Sequence, residues 1–382
     1  MLICDLTQAY TETSGGIRTF IHEKQNFILQ HTDHRHVLIV PGEQDTVLRR
    51  GRLTVATVKA PSVAGCEPYR FILRLDKVYS ILKQFQPDLI ELGSAYVLPF
   101  PAWRYKQTHH KPLVGFYHTD FPTAYVKPAI TQLAGDLIGT SAERLSSQYA
   151  RLIYNRLDAT ITSSIELYRK LKTLGIRNLQ HIPLGVDLAR FHPNQRDERL
   201  RQSYGIGHQD LMFFYHGRMD QEKRIDVLLD SFDQISDKVR GRLLLMGNGP
   251  LKDLAERKAQ SNPKIQVLPY ETDRTRLARH LASADIYCTA GPHETFGLSI
   301  LEAQASGLAV CGVRAGALRE RVPDSLGVLA QPDSVSDFAS TLYDLSQNGF
   351  RQKGQNARHW VERRFSWHTS FQKLLKVYER LV

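Results

Sequence analysis

Two cationic side chains lie close together after a strand-like run in the second half of the chain. The run "LMFFYH" is followed by Gly217 and Arg218, and Lys223 stands where the next amphipathic segment begins. Arginine can bind two oxygens of a phosphate group at once, and lysine adds a compact positive charge. The pair predicts a diphosphate site, although the same residues would also suit a solvated helix start.

Carboxylates accompany a second possible anion site in the segment "GPHETFGLSILEAQASG". Glu294 precedes a predicted helix, and Glu302 lies eight positions further on, within it. Gly297 and Leu298 stand at the predicted helix start, where a glycine lets backbone N–H groups approach an anion. Carboxylates beside an anion site are useful if they accept hydrogen bonds from sugar hydroxyls. The combination favours a ligand that carries both phosphate and sugar.

Two loops in the first half also follow strand-like runs. Gly15 and Gly16 join the first strand-like run to a helix-like segment, so the backbone there could come close to a phosphate or a sugar. The run "PLVGFY" leads directly into His118, Thr119 and Asp120. A histidine at this place could hydrogen-bond a substrate, and the alternative is a histidine with its partners in a domain interface.

The candidate residues follow short β-rich runs that alternate with amphipathic stretches, the pattern of parallel βαβ units. Ligands of open α/β sheets bind beyond the carboxyl ends of the strands, which is where these residues lie. Each half has enough runs for one doubly wound sheet. The predicted strands are 2–6, 36–40, 87–92, 112–117, 158–162, 211–216, 242–246, 265–268, 285–289 and 309–313.

The chain of 382 residues predicts two domains. Prolines and glycines interrupt the pattern near 184–192, so we predict a first domain over 1–185 and a second over 186–365. Apolar residues recur with helical spacing after Gly16 and after Lys223. The amphipathic segment 366–382 is expected to form a helix that packs back on the first domain.

The composition is that of a globular protein, with 23% charged and 42% hydrophobic residues. The apolar runs are far shorter than the ~20 residues of a membrane-spanning helix, and the N-terminus lacks the pattern of a signal peptide. Four scattered cysteines (Cys4, Cys66, Cys288 and Cys311) argue against a zinc ribbon or a disulfide framework. We therefore expect a cytoplasmic protein.

The net charge of +11 is concentrated in the first half. Residues 1–185 contain 22 Lys and Arg against 15 Asp and Glu, a balance of +7, and the remainder has +4. A basic half can bind nucleic acid, an anionic membrane surface or a phosphorylated substrate, or it can be a merely basic surface.

Several motifs of other enzyme classes are incomplete or absent. "GNGP" at 247–250 is not a GxGxxG fingerprint, and the sequence contains neither a P-loop nor a GxSxG elbow. "HETFG" has no second histidine for a zinc hydrolase. His31, His34 and His36 could touch a metal ion, but solvated histidines are the simpler interpretation.

Taken together, the motifs resemble those of the retaining glycosyltransferases of family 4, also called glycosyl transferases group 1. The resemblance covers nearly the whole chain. It lies in the early Gly-Gly loop, "IPLGVDLARFHP", "HGRMDQEKRIDVLLDSF", "LLLMGNGP", "GPHETFGLSILEAQASGLAVCGVRAGALRERV" and the closing "FSWHTSFQKLLKVYERLV". Three departures stand out: Arg224 where glycine is commoner, Ala309 where proline is usual, and Ala315 where a second glycine is common. The resemblance implies the GT-B fold, in which two Rossmann-like domains with doubly wound parallel sheets face a central cleft.

The resemblance also implies roles for the candidate residues. Arg218 and Lys223 would hold the diphosphate of a nucleotide-sugar donor, assisted by the backbone of Gly297 and Leu298. Glu302 would accept hydrogen bonds from the ribose hydroxyls.

The other candidates would lie near the transferred sugar. Glu294 would contact its hydroxyls, and His118 would hydrogen-bond it close to the reacting carbon. Gly15 and Gly16 would let the N-terminal domain close over the phosphates, and Asp120 belongs to the loop near the acceptor. Neither a metal nor another cofactor is expected, because no DxD-like cluster is present.

The implied activity is transfer of a hexose from a UDP- or GDP-sugar to an acceptor hydroxyl. "FYHTDFPTAY" resembles the acceptor-side loop of members that use lipids, lipid-linked acceptors or small polyols. With a basic first half, we expect a lipid or lipid-linked acceptor at an anionic membrane face. The segments 49–52 and 71–85 are candidates for the contact, although the second could equally be a helix packed on its own sheet.

Two alternatives remain open at this point. The acceptor could be a soluble small molecule or a polysaccharide. The chain could also be a non-enzymatic nucleic-acid-binding protein, but the dispersed basic residues do not favour this, and no nucleic acid partner is expected.

Overall fold

The computed structural model describes residues 1–11, 15–62 and 69–382, which form two compact units. The first unit contains Met1–Pro183 and His368–Val382, and the second contains Leu184–Trp367. Cys66 lies outside the described residues.

The first unit is built on an eight-stranded sheet with the order β3-β4-β2-β1-β5-β6-β7-β8. All neighbouring strands are parallel except β3 and β4. The strands are β1 (Leu2–Leu6), β2 (Arg35–Gly42), β3 (Thr46–Arg50), β4 (Leu53–Lys59), β5 (Leu89–Leu92), β6 (Leu113–Phe116), β7 (Ala159–Thr162) and β8 (Leu179–His181). The helices are α1 (Gly16–His31), α2 (Leu75–Phe85), α3 (Pro99–His109), α4 (Lys127–Ala134), α5 (Asp136–Tyr154) and α6 (Ile165–Thr173), and a π-helical turn (Pro122–Val126) precedes α4.

The second unit has a six-stranded parallel sheet with the order β11-β10-β9-β12-β13-β14. Its strands are β9 (Leu211–Arg218), β10 (Gly241–Asn248), β11 (Ile265–Leu268), β12 (Ile286–Cys288), β13 (Ala309–Val313) and β14 (Gly327–Ala330). Its helices are α7 (Glu198–Ser203), α8 (Ile225–Ile235), α9 (Lys252–Ser261), α10 (Arg274–Ser283), α11 (Leu298–Ala305), α12 (Leu318–Arg321), α13 (Val335–Gln347) and α14 (Phe350–Arg364). The C-terminal helix α15 (Trp367–Glu379) returns the chain to the first unit.

All ten predicted strands are confirmed, and the structure adds four more. The central strands were visible in the sequence because strands covered on both faces are almost entirely apolar. The additions are β3, β4, β8 and β14, of which β3 is an exposed edge strand and β8 has only three residues. Short or solvent-facing strands have no continuous apolar run to mark them.

Helix α2 corrects one of the predicted membrane contacts. Within the segment 71–85, Val78, Ile81 and Leu82 are buried at the core of the first unit. The apolar side of this amphipathic helix is thus already covered by its own unit, as the packed-helix alternative required. These residues are not free to contact a lipid surface.

A buried ion cluster connects α1 to the sheet and to α15. The Nζ atom of Lys24 donates hydrogen bonds to Asp5 Oδ1 (2.6 Å), Glu91 Oε1 (3.0 Å) and Tyr378 Oη (3.0 Å). Tyr378 in turn donates to Glu91, and His36 lies 3.1 Å from the other oxygen of Asp5. Burial disfavours the charged ammonium, but the two carboxylates outweigh it and raise the pKa of Lys24. The cluster is therefore stable only as a complete set.

We predict that Lys24→Met lowers the free energy of unfolding by about 3–5 kcal/mol, because it leaves two buried carboxylates without their cation. Urea denaturation would measure the change. Lys373→Met, at an exposed position on α15, is the control and should change stability by no more than about 0.5 kcal/mol. Equal effects of the two substitutions would contradict the role of the cluster.

Candidate functional site

The first group of candidate residues lies at the carboxyl edge of the sheet in the second unit. Strand β9 ends at Arg218, and a single 3₁₀ turn, Gln221–Lys223, separates it from α8. The loop after the adjacent strand β12 contains Glu294 and leads into α11. Because these strands are parallel neighbours, their following loops meet at the same edge.

Carboxylates surround both cations. Arg218 Nη1 lies 2.8 Å from Asp220 Oδ2, and its Nη2 donates to Glu222. Lys223 Nζ lies 3.0 Å from Glu294 Oε2 and 3.6 Å from Glu222 Oε1. The side chains of Arg218 and Lys223 retain 28% and 22% of their exposure. Both cations are thus held in place while part of each remains accessible to a ligand.

The ionisation of this cluster follows from its pairing. Burial opposes the charge of Lys223, but Glu294 and Glu222 overcome it and raise its pKa well above the usual value. Burial would also raise the pKa of Glu294, but Lys223 and the backbone N–H groups of Phe296 and Gly297 lower it. Lys223 and Glu294 are therefore both charged at neutral pH.

Glu294 also shapes the start of α11. Its Oε1 accepts a hydrogen bond from the backbone N–H of Gly297 at 3.0 Å, immediately before Leu298 begins the helix. The Gly297 amide is thus bound to Glu294. The predicted contact of Gly297 and Leu298 with a diphosphate remains a prediction.

Glu302 lies within α11 and is 3% exposed. Its carboxylate accepts a hydrogen bond from Arg274, whose guanidinium lies over the ring of Phe191 at 4.9 Å. The Glu302 carboxylate was predicted to accept hydrogen bonds from ribose hydroxyls, and it already accepts one from Arg274.

Sequence reasoning missed three charged residues of this site: Asp220, Glu222 and Arg274. The first two follow Arg218 in "GRMDQEK", so the acidic residues next to a predicted cation site were a usable signal. Arg274 and Glu302 are 28 positions apart, and no local pattern connects them.

The structure explains two of the departures from the family motifs. Arg224 has φ +49°, a left-handed conformation that favours glycine, and it forms ion pairs with Asp226 (3.0 Å) and Asp333. In the other loop, Gly316 has no space for a side chain, because a Cβ would lie 2.6 Å from the carbonyl oxygen of Glu294. Ala315 precedes it without a positive φ, so alanine is tolerated there.

His118 belongs to the first unit and follows β6. Its ring stacks on Phe116 with centroids 4.1 Å apart, and it meets the edge of Phe20 at 5.2 Å. Burial, together with the positive charge of Lys24, lowers its pKa to about 3. The imidazole is therefore neutral at physiological pH and can exchange hydrogen bonds with an uncharged substrate group.

Asp120 stabilises the loop that contains His118. Its carboxylate accepts hydrogen bonds from Tyr117 Oη (3.2 Å) and from Lys170. Its backbone oxygen accepts from the amides of Thr123 and Ala124. These contacts give Asp120 an anchoring function, and its predicted proximity to the acceptor remains a prediction.

Gly15 and Gly16 stand at the start of α1. Gly15 is the residue before the helix, its φ is −67°, and a Cβ placed on it would meet no atom within 4 Å. Nothing in the described parts of the chain therefore requires glycine at position 15. Residues 12–14 of the same loop lie outside the described residues.

Within residues 1–11, 15–62 and 69–382, no group of three or more His, Cys, Asp or Glu side chains is placed to hold a metal ion. In the same ranges no helix is both long and apolar enough to cross a membrane.

Profiles of two protein families match the chain. The family described as "Glycosyltransferase Family 4" matches residues 14–190, and "Glycosyl transferases group 1" matches residues 210–348. The chain belongs to glycosyltransferase family 4. This confirms the family predicted from the motifs and the prediction that the chain is an enzyme that transfers sugars.

Curated relatives match most of the length of this family 4 glycosyltransferase. The GDP-mannose-dependent alpha-(1-6)-phosphatidylinositol dimannoside mannosyltransferase of Mycobacterium tuberculosis is 29% identical, over 98% of this chain and 95% of the relative. A GDP-mannose-dependent alpha-mannosyltransferase of Corynebacterium glutamicum is 27% identical, over 86% of this chain and 75% of the relative.

Among solved structures, the sucrose-phosphate synthase of Thermosynechococcus elongatus superposes on this family 4 enzyme with a TM-score of 0.82. The two chains are 17% identical, and the match covers 100% of this chain and 98% of the other. At this identity the likeness concerns the fold alone. It confirms the predicted GT-B class, with two parallel-sheet α/β domains.

We predict that the enzyme becomes less stable as the pH falls below about 6.5, partly because of His118. This histidine stays neutral in the folded chain down to about pH 3 and is protonated near pH 6.5 in the unfolded chain. The unfolded state then binds one more proton, which costs about 1.4 kcal/mol per pH unit. His118→Gln should therefore flatten the dependence of the unfolding free energy on pH.

Urea denaturation at several values between about pH 7 and about pH 5 would measure this slope. His359→Gln, at an exposed position of α14, is the control and should leave it unchanged. If His118→Gln has the same slope as the unaltered enzyme, the lowered pKa is refuted.

Proposed function

We propose that this enzyme transfers mannose from GDP-mannose, with retention of configuration, to a hydroxyl group of a lipid acceptor. The observation that carries the proposal is the cluster of Arg218, Lys223 and Glu294 at one sheet edge. Two fixed cations beside an ionised carboxylate suit a donor with a diphosphate and a sugar. The name of the mycobacterial relative includes GDP-mannose and phosphatidylinositol dimannoside, which supports the assignment of this donor and of a lipid acceptor.

The cations would neutralise the leaving group. When the bond between the sugar and the diphosphate breaks, negative charge develops on the phosphate oxygens, and fixed positive groups stabilise it most at that moment. Arg218 has five N–H donors, so it can keep its contacts with Asp220 and Glu222 and still bind phosphate. The two carboxylates then hold the guanidinium in one orientation.

Glu294 and His118 would orient the sugar. Glu294 is ionised and can accept hydrogen bonds from hydroxyls, and His118 is neutral and can exchange hydrogen bonds near the reacting carbon. Glu294 already binds Lys223 and the Gly297 amide, contacts that lower its basicity and suit an orienting group better than a covalent nucleophile.

Retention would follow from attack on the same face of the sugar. In this scheme the bond from the anomeric carbon to the diphosphate breaks through an oxocarbenium-like state. The acceptor oxygen forms the new bond on the face that the diphosphate leaves, and the acceptor proton passes to a departing phosphate oxygen. No metal ion is needed, because Arg218 and Lys223 supply the positive charge.

The donor assignment predicts that GDP stabilises the enzyme against heat more than UDP or ADP does. A ligand at a hundred times its Kd adds about 2.7 kcal/mol. Arg218→Ala and Lys223→Ala should each weaken GDP binding by about tenfold or more, because a hydrogen bond to a charged phosphate is lost. The measured quantity is the shift in melting temperature that GDP causes within each variant. This within-variant comparison is needed because Lys223→Ala also leaves Glu294 unpaired, which by itself changes stability.

Lys252→Ala provides the control, because this lysine lies on α9 and pairs with the exposed Glu256 at 3.3 Å. Its GDP-induced shift should match that of the unaltered enzyme. Stabilisation by UDP alone would replace the GDP-mannose assignment with a UDP-sugar, and no stabilisation by any nucleotide would refute the donor site.

The acceptor assignment predicts transfer of labelled mannose from GDP-mannose into a phosphatidylinositol-containing lipid fraction. His118→Ala and Glu294→Gln should lower kcat/KM by at least about a hundredfold, since each removes a contact with the reacting sugar. Addition of EDTA should leave the rate unchanged. Transfer only to a water-soluble polyol would favour the soluble-acceptor alternative.

A further inference from the structure

Two consecutive helices of the first unit expose large apolar side chains. We call α4 and α5 together the α4–α5 hairpin (127–154). Single exposed apolar residues are ordinary on protein surfaces, whereas a contiguous set marks a surface that another molecule covers. The exposed set is Leu133 (82%), Leu137 (83%), Ile138 (53%), Leu145 (75%) and Leu152 (52%).

These side chains form one row. Ile138, Leu145 and Leu152 follow each other at intervals of seven residues, so they lie along one line of α5. Leu133 and Leu137 flank the turn between the two helices, where α4 ends and α5 begins. The row therefore extends from the tip of the hairpin along the length of α5.

The packing of the hairpin leaves this row uncovered. Helix α4 has no buried residue and packs against α5 and the π-helical turn. The two helices cross closely at Gly139, where a Cβ would lie 2.0 Å from Thr131 Oγ1. Gly139 and Thr131 thus lie in the contact between the two helices, while each side chain of the row remains more than half exposed.

Positive charges outnumber negative ones in the hairpin. Residues 127–154 contain three Lys and Arg against two Asp and Glu, and one of these acids, Glu143, is paired with Lys127 at 3.2 Å. Arg144 and Arg151 directly precede two leucines of the row. Apolar side chains with flanking arginines are the pattern of helices that lie in the interface of an anionic bilayer.

We propose that the α4–α5 hairpin docks on an anionic lipid bilayer, with its leucines in the acyl boundary and its arginines at the phosphates. The inference rests on the proposed function insofar as a lipid acceptor requires the enzyme at a membrane. It also fits the chain path, because the loop of His118 leads through the π-helical turn into α4. The backbone oxygen of Asp120 binds the amide of Ala124 in that turn, so the docked hairpin holds the sugar-binding loop close to the headgroups.

The test is sedimentation with vesicles of phosphatidylcholine, with and without phosphatidylglycerol. We expect binding to the anionic vesicles that weakens as salt is added. The double variant Leu133→Gln/Leu137→Gln should bind at least about tenfold more weakly, because two apolar side chains no longer enter the bilayer. Arg144→Glu should reduce binding to anionic vesicles specifically.

Val47→Gln/Leu48→Gln provides a matched control, since these residues are 47% and 51% exposed on β3, beside the basic segment 49–52. Its vesicle binding should equal that of the unaltered enzyme. A loss in this control with none in the hairpin variant would overturn the proposal and assign the contact to β3. A concentration-dependent dimer that the hairpin variant abolishes, without vesicle binding, would overturn it in favour of a second copy.

The GDP-induced thermal shift separates this proposal from the proposed function. Every hairpin variant should retain the full shift, because the substitutions lie far from the nucleotide-binding residues in sequence and belong to the other unit. Vesicle binding without lipid mannosylation would refute the acceptor and leave the docking surface intact. Mannosylation that continues unchanged in a hairpin variant with normal vesicle binding would refute the docking surface alone.

Discussion

The buried ammonium of Lys24 is the interaction on which the first unit depends. It connects β1, β5 and α15 through Asp5, Glu91 and Tyr378, none of which could be buried alone without a large desolvation penalty. The same charge is one cause of the lowered pKa of His118. The ion cluster therefore attaches the C-terminal helix, and its ammonium adds to the burial that lowers the pKa of the proposed sugar-binding histidine.

The second unit uses charge pairing for a different purpose. Lys24 has 2% of its side chain exposed, whereas Arg218 and Lys223 retain 28% and 22%. A buried ion pair fixes a fold, because neither partner can return to water without unfolding. Partly exposed cations with carboxylate partners are held in place and can still take a phosphate as an additional acceptor. This contrast in exposure is what we expect between a structural cluster and the proposed phosphate site.

The sequence predicted most of the fold because both sheets have buried central strands, which appear as apolar runs such as β9 and β13. It predicted that Arg218, Lys223 and Glu294 lie at one sheet edge, since loops after parallel strands meet there. It could not predict the pair of Arg274 and Glu302, which depends on tertiary packing across 28 positions. For the candidate membrane contact at 71–85, the structure supports the packed-helix alternative, which the sequence left open because amphipathic periodicity does not reveal whether protein or lipid covers the apolar side.

Two glycines, one in each unit, differ in whether the fold itself requires them. Gly316 is required by the fold, because any side chain would collide with the backbone of Glu294. Gly15 has an ordinary φ, and a Cβ placed on it would meet no atom of the described residues within 4 Å. The described part of its own unit therefore gives no reason for glycine at this position. The proposed donor would supply one, because a phosphate benefits from an unobstructed backbone at the start of a helix.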